Sequence, residues 1–246
     1  MVIIAFDTAT ESCSVALTEH ARLLAEVTLA NTETHSRHLA RLILDVCCLA
    51  GIELGDIDGY AVTRGPGSFT GLRIGISTAI GLAQASGKPI AGVSTLDSLA
   101  AQATAPSKSV CPMIDARRGE VYFSVLRHVD DRLIAQQPER VMKVQEAIGT
   151  ISEPCIFVGS GAMLYHAEIS DRLGEAAQFA SEIHNIIRAA TVAALAHKRL
   201  VSGETDDIMT FTPTYLRKSD AKINKISGWK SGHRTGQNKK IDLTIR

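Results

Sequence analysis

The stretch GYAVTRGPGSFTGLRIG, residues Gly59–Gly75, joins an apolar run to a helical pattern through a glycine-rich turn. Gly59–Thr63 is predicted to form a strand, and Phe69–Ser86 a helix that Gly87 and Pro89 close. A strand that runs directly into a helix is the repeating unit of α/β folds. The stretch therefore predicts an α/β architecture.

The segments on either side of this unit repeat one order of elements. Three predicted strands come first and a helix follows, and a second set of three strands begins after residue 108. The predicted strands are Val2–Phe6, Cys13–Leu17, Leu23–Thr28, Val110–Ile114, Glu120–Arg127 and Arg132–Gln137. We therefore predict a duplicated α/β fold with subdomains at residues 1–104 and 105–216, and a clean helix over Ile183–Leu200.

Charge is distributed unevenly along the 246 residues. The chain has 26 basic and 26 acidic side chains, but residues 1–216 hold 17 basic and 24 acidic ones, and residues 217–246 hold 9 and 2. The acidic body carries no general attraction for nucleic acid, so any contact with nucleic acid is predicted to be indirect. Residues 217–246 are interpreted as a flexible basic tail that either touches nucleic-acid phosphates or has no task.

Cysteine usage and hydropathy indicate a cytoplasmic protein. The five cysteines form no CxxC pair, which is typical of a reducing compartment. Ile74–Gly87 is shorter than the roughly 18 apolar residues that suggest a membrane span. We therefore expect no membrane association.

Two loops have the composition of anion sites. Asp7 and Thr8 follow the first strand, where a carboxylate and a hydroxyl can serve a phosphate or its metal; an Asx-type turn is the alternative. Gly65, Gly67 and Ser68 precede a helix, whose first N–H groups favour an anion; a tight turn that needs positive φ is the alternative. The second loop lacks the spacing of a Walker A or a Rossmann motif.

Small residues recur every four positions in the helix after this turn. They are Gly71, Gly75, Ala79 and Ala83, beside a ridge that includes Leu72 and Ile76. Such a stripe permits close approach of another element, and a helix that is apolar nearly all round must be buried nearly all round. Burial in the chain's own core and contact with a partner both fit this pattern.

Two further features leave their roles open. His35 and His38 have the spacing of a metal-binding pair, but the sequence shows no third ligand nearby, and we predict no metal. The turn Asp115–Tyr122 carries paired arginines beside carboxylates, as a local salt bridge or an interface patch would.

Four strings together resemble the bacterial TsaB (YeaZ) family, over about residues 1–217. They are FDTAT (6–10), RGPGSFTGLRIG (64–75), DARRGEVY (115–122) and TPTYLR (212–217). The resemblance implies an actin/hsp70-like (ASKHA) duplicated fold with two mixed sheets. It also implies a role in forming threonylcarbamoyladenosine in tRNAs that read codons starting with A.

The family resemblance further implies a non-catalytic subunit and its partners. TsaB pairs with its catalytic paralogue TsaD, or with itself as a homodimer, through helices of the first subdomain, and the ATPase TsaE joins. The expected interface combines His35, Leu39 and Leu42 with Gly71, Leu72, Gly75, Ile76, Ala79 and Ala83. The chain is expected to need no cofactor of its own, with ATP or ADP at the joint with the partner.

The positions of the catalytic metal ligands support that expectation. TsaD-like relatives carry a His-x-x-x-His motif that aligns here with Thr95 and Leu99, and leucine cannot ligate a metal. A stand-alone ASKHA-type ATPase or kinase using Asp7 is the alternative, although Ala9 replaces the usual glycine. A metallopeptidase ranks last, because no metal-binding histidine motif is present.

Overall fold

A computed structural model describes residues 1–30, 35–103, 108–130 and 132–217. The strands are β1 Val2–Asp7, β2 Ser12–Glu19, β3 Arg22–Ala30, β4 Gly59–Gly65, β5 Ile90–Ser94, β6 Ser109–Asp115, β7 Glu120–Val129, β8 Arg132–Lys143, β9 Cys155–Val158 and β10 Ala177–Phe179. The helices are α1 His35–Ala50, α2 Phe69–Ser86, α3 Thr95–Gln102, α4 Val144–Gly149, α5 Ser160–Leu164, α6 His166–Leu173 and α7 Ala189–Ser202.

The two sheets share one topology. The first has the order β3-β2-β1-β4-β5, in which β1, β2 and β3 are antiparallel and β4 and β5 lie parallel to β1. The second has the order β10-β9-β6-β7-β8, with β6, β7 and β8 antiparallel and β9 and β10 parallel. The predicted duplication into two mixed sheets with flanking helices is confirmed.

Alternating residues of the strands pack into different layers of the core. In β1, Ile3 and Ala5 point to a central layer with α3 and α7, whereas Ile4 and Phe6 point to α1 and α2. A third layer covers the outer face of the second sheet with α4 and α6. The helices α1 and α2 therefore form one outer layer of the molecule, which positions them for the site described below.

The C-terminal helix corrects two sequence predictions. A short 3-10 helix covers Glu182–Asn185, and α7 begins only at Ala189, so the predicted continuous helix is broken. The helix α7 packs against β1 and β2 of the first sheet. It therefore does not belong to the second subdomain as the division at 105–216 implied.

The predicted basic tail lies outside the described residues, apart from Arg217 at its start. No helix in the described ranges is both long and apolar enough to cross a membrane.

Candidate functional site

The β1–β2 turn and the turn before α2 are packed directly against each other. The backbone N–H of Ser68 donates to the carbonyl oxygen of Ala9 at 2.7 Å. A Cβ at Gly67 would lie 2.3 Å from that same oxygen, so only glycine fits here. The two predicted anion loops are thus neighbours, as one phosphate site would require.

The hydrogen-bonding groups of these loops are engaged within the chain. The Thr8 hydroxyl donates to the carbonyl of Gly71 at 2.7 Å, and the Ser68 hydroxyl accepts from the Gly71 N–H at 3.3 Å, which caps α2. Gly65 has φ 120°, and a Cβ there would lie 2.4 Å from the carbonyl oxygen of Thr214. The C-terminal segment therefore covers this end of the turn.

Asp7 is fully buried at the end of β1. Its Oδ1 accepts from the Thr63 hydroxyl at 2.7 Å and from the Ala9 N–H at 3.1 Å, whereas Oδ2 has no partner among the described residues. Burial raises the pKa of Asp7 to about 6, against the lowering effect of the Thr63 hydrogen bond. The carboxylate does not reach the surface in this conformation.

The small-residue stripe of α2 faces the chain's own sheet. A Cβ at Gly71 would lie 1.9 Å from the Thr8 carbonyl oxygen, and one at Gly75 would lie 2.4 Å from the Thr8 hydroxyl. Ala79 and Ala83 are fully buried. The prediction that these four residues contact a partner is corrected, because the sheet occupies the space in front of them.

Three larger residues of the predicted interface are buried as well. Leu72 is fully buried, and Leu42 and Ile76 lie in the layer between the helices and the first sheet. Leu39 is also buried, but it forms part of the wall of a surface groove. His35 is half-buried, with Nε2 2.8 Å from the carbonyl oxygen of Thr10.

That groove runs between the outer faces of α1 and α2. It has a volume of about 520 Å³. Its walls are Ser36, Leu39, Ala40, Phe69, Thr70, Arg73, Ile74, Ser77 and Thr78. The outer face of α2 is therefore the part of this helix that a second molecule can touch.

An aromatic cluster stands at the N-terminal end of α2. Arg73 lies over the Phe69 ring at 3.8 Å from its centroid, and the Tyr215 ring lies 5.1 Å from that of Phe69. The Arg73 Nε also donates to the Tyr215 hydroxyl at 3.1 Å. The cluster joins the C-terminal segment to the wall of the groove.

The turn between β6 and β7 reaches toward the first subdomain. Arg117 and Arg118 have φ of 66° and 60°, a left-handed conformation that is unfavourable for residues with a Cβ. Arg117 pairs with Asp115 at 3.2 Å and with Glu11 of the β1–β2 turn at 3.1 Å. The predicted charged turn thus makes both a local ion pair and a contact between subdomains.

A second contact between subdomains is built at the start of α3. The Ser94 hydroxyl accepts from the N–H groups of Leu96 and Asp97 and donates to Glu139 of β8. Burial, and next the charge of Glu139, raise the pKa of Asp97 to about 6. Burial also raises the pKa of Glu139.

The two positions aligned with catalytic metal ligands lie in this helix. Leu99 is buried in the central layer. Thr95 is fully buried, and its hydroxyl has no partner among the described residues. In the described part of the chain, no group of three His, Cys, Asp or Glu side chains is placed to hold a metal ion.

Comparison with known proteins decides the family. The model of the family described as "TsaD: tRNA N6-adenosine threonylcarbamoyltransferase" matches residues 22–225. The tRNA threonylcarbamoyladenosine biosynthesis protein TsaB of Escherichia coli is 39% identical over 65% of this chain and 72% of its own length. The Bacillus subtilis TsaB is 29% identical over 94% of this chain and all of its own. The chain belongs to the TsaB (YeaZ) family.

Solved structures agree with this family and with the fold. YeaZ from Pseudomonas aeruginosa is 29% identical, covers 87% of this chain and 99% of its own, and has a TM-score of 0.74. Component A of (R)-2-hydroxyglutaryl-CoA dehydratase from Acidaminococcus fermentans shares the fold at a TM-score of 0.52 and 12% identity. The predicted actin/hsp70-like fold is confirmed.

Two of the contacts described above could not be predicted from the sequence. Tyr215 was part of a family string, but its contact with Phe69 depends on the return of the chain's C-terminal segment to α2. Glu139 lies in a polar strand, and nothing local shows that it meets Ser94 of the other subdomain. The contacts of both residues connect positions distant in sequence.

Proposed function

We propose that this chain is the non-catalytic accessory subunit of the complex that forms threonylcarbamoyladenosine next to the anticodon. The family takes part in the biosynthesis of this modified nucleoside in tRNA. In the proposed complex the chain binds and activates the catalytic paralogue TsaD, and the ATPase TsaE joins them. The modified tRNAs read codons that start with A.

The groove between α1 and α2 carries this proposal. Phe69 and Ile74 supply apolar surface, and Arg73 is of a residue type that often dominates binding energy at protein interfaces. Both helices are held by their buried faces against the first sheet, so their outer faces form a rigid platform. The proposed interface therefore uses the outer faces of the predicted helices and not the small-residue stripe.

The residues at the two expected chemical sites support a non-catalytic role. Leu99 places a hydrocarbon side chain where the catalytic relatives are expected to carry a metal-binding histidine. The carbonyl oxygen of Ala9 occupies the space in front of Gly67, which leaves less room for a phosphate at this turn. We propose that ATP or ADP, where it acts, binds at the joint with the partner and that this chain requires no cofactor of its own.

Ser77→Glu tests the interface without disturbing the core. Ser77 is exposed on α2 and lines the groove, so a carboxylate there leaves the sheet-facing side of the helix untouched. We expect this variant to lose co-purification with TsaD and to lose tRNA modification in the reconstituted complex. The physical reason is that a glutamate side chain takes up space in the groove and that its charge must lose water when a partner binds.

Ala85→Glu is the matched control, because Ala85 is an exposed α2 residue outside the groove. It should retain both TsaD binding and modification activity. Retention of TsaD by Ser77→Glu, with unchanged thermal stability, would contradict the proposed surface. Gly75→Leu is unsuitable for this test, since its side chain would collide with Thr8 and Val62 inside the chain.

A further inference from the structure

A basic face lies beside the groove, on the side of the C-terminal segment. We define it as Tyr215 together with Arg117, Arg118 and Lys143. The Arg217 guanidinium fixes the segment to the turn by donating to the Ala116 carbonyl at 2.8 Å and pairing with Glu120 at 3.4 Å. The Lys143 ammonium donates to the Arg118 carbonyl at 2.9 Å and so adjoins the same turn. Tyr215 lies two residues before Arg217 in the segment that is fixed there.

The positive charges of this face point outward, and two of its carboxylates lie beneath them. The side chains of Arg117 and Lys143 are 75% and 50% exposed, whereas those of Asp115 and Glu120 are 13% and 26% exposed. Glu11 is the exposed acid beside them, and its pair with Arg117 is a surface pair of small stability. An approaching polyanion therefore meets the cations first.

The turn holds its arginines in a costly backbone conformation. Arg117 and Arg118 are consecutive left-handed residues with large side chains, although asparagine or glycine adopts this conformation with less strain. Strained residues of this kind are concentrated at functional sites. The arrangement keeps both guanidinium side chains on the exposed tip of the turn.

An exposed ring completes the face. Tyr215 is 41% exposed, and its contact with Phe69 and Arg73 fixes its orientation. Cations beside a fixed aromatic ring are the elements with which proteins bind unpaired nucleotides, by phosphate contact and base stacking.

We infer that this basic face binds a single-stranded RNA loop directly, with Arg117, Arg118 and Lys143 on phosphates and Tyr215 stacked on a base. The inference rests on the proposed function, which supplies an anticodon loop as the RNA. It replaces the sequence-based expectation that contact with tRNA is indirect. Because Tyr215 packs on Phe69 of the groove wall, RNA on this face lies next to the proposed partner.

The charge arm of the test uses the double variant Arg117→Asn/Arg118→Asn. Asparagine tolerates the left-handed conformation, so the turn keeps its shape and loses two charges. The ligand is a fluorescent RNA hairpin with an anticodon stem-loop sequence, measured by anisotropy with the full chain alone and with TsaD bound. We expect the Kd to rise roughly tenfold and the slope of log K against log salt concentration to become less steep by about 1.4, which is about 0.7 for each of the two phosphate contacts.

Three further variants make this arm specific. Arg117→Lys/Arg118→Lys keeps the charge and should restore binding. Glu11→Gln removes the competing carboxylate and should strengthen binding. Arg132→Asn, at the far end of β8 from Lys143 and roughly 35 Å away along the strand, should leave Kd and salt slope unchanged.

The stacking arm places 2-aminopurine in the RNA loop. Stacking on Tyr215 should quench its fluorescence in the wild-type complex. Tyr215→Leu should relieve the quenching, and Tyr215→Phe, which keeps the ring, should preserve it. A duplex RNA of equal charge should bind more weakly than the hairpin, because its bases are not available for stacking.

The outcomes separate this inference from the proposed function. Unchanged RNA affinity and salt slope in the double asparagine variant would contradict RNA binding by the basic face. The same conclusion would follow if the wild-type chain bound no hairpin, either alone or with TsaD. If the double asparagine variant lost TsaE binding but kept its RNA affinity, the face would be a protein-binding surface and the inference would be wrong. The variants at Arg117 and Arg118 should still bind TsaD, whereas Ser77→Glu should lose TsaD and, as the chain alone, still bind the hairpin.

Discussion

Glycine at two positions of α2 lets a helix start directly above the end of a strand. The Thr8 carbonyl and hydroxyl occupy the space that side chains at Gly71 and Gly75 would need. The Thr8 hydroxyl also donates a hydrogen bond to the Gly71 carbonyl, so this threonine both occupies the space between the turn and the helix and links the two. The spacing of small residues revealed a close approach, but the identity of the approaching element depends on residues far away in the sequence.

Two glycine-to-alanine changes in the same helix should have opposite effects. Gly71→Ala puts a methyl group 1.9 Å from a backbone oxygen and should lower the free energy of unfolding by about 3 kcal/mol or more. Gly81 has no described atom within 4 Å of its Cβ position, so Gly81→Ala should raise that free energy by about 0.5–1 kcal/mol. Urea unfolding of both variants measures the difference, and equal effects would contradict the packing of α2.

Local patterns were sufficient for several elements and insufficient for α7. Alternation and helical spacing located β1 to β4, β6, β7 and α2 within a few residues, whereas β8 continues to Lys143, past its predicted end at Gln137. The helix α7 has no side-chain cap of its own; instead Ser14, Glu26 and Gln102 accept hydrogen bonds from its first N–H groups. Because these caps come from other elements, the sequence around Ala189 contains no start signal.

The start of α3 should make stability depend on pH. Asp97 has a pKa of about 6 in the folded protein, above its value in the unfolded chain. The folded state therefore holds a proton that the unfolded state has lost, and the free energy of unfolding falls as the pH rises from about 4 to about 6. Asp7, with a pKa raised to about 6 as well, contributes in the same direction.

Asp97→Asn should flatten this dependence. The side chain of the variant carries no charge beside Glu139 at any pH. Relative to wild type, the variant therefore gains stability as the pH rises through this window. We expect a gain of about 1 kcal/mol, because solvent reaches part of the Asp97 side chain and weakens the effect of its charge. Urea unfolding at several pH values between about 4 and 7 measures the gain. A gain that is constant over the window would exclude Asp97 as its source.

The C-terminal part of the chain is tied to the first subdomain by several contacts between residues distant in sequence. Arg188, just before α7, pairs with Glu26 of β3, and Gln102 of α3 receives the Arg188 N–H. After α7, Asp206 accepts from Arg64, Arg199 and the Gly92 N–H, which anchors the segment that ends at Arg217. The duplication was visible in the sequence, whereas these ties were not, because each joins residues from separate elements.

Truncation should show the contribution of the last described segment. Phe211 is buried against Gly92, and Thr214 to Arg217 bridge the turn before α2 and the β6–β7 turn. A chain that ends after Thr210 should have a Tm about 5–10 °C below that of a chain that ends after Arg217. Differential scanning calorimetry compares the two, and equal values would show that the segment adds no stability.

The position of α7 has a consequence for synthesis on the ribosome. This helix covers one face of the first sheet, yet it is translated after all the strands of the second. The second sheet and its own outer helices can assemble as soon as they emerge, whereas the first sheet keeps an apolar face uncovered until almost the whole chain has been made. In the growing polypeptide, the part that is translated first is thus completed last.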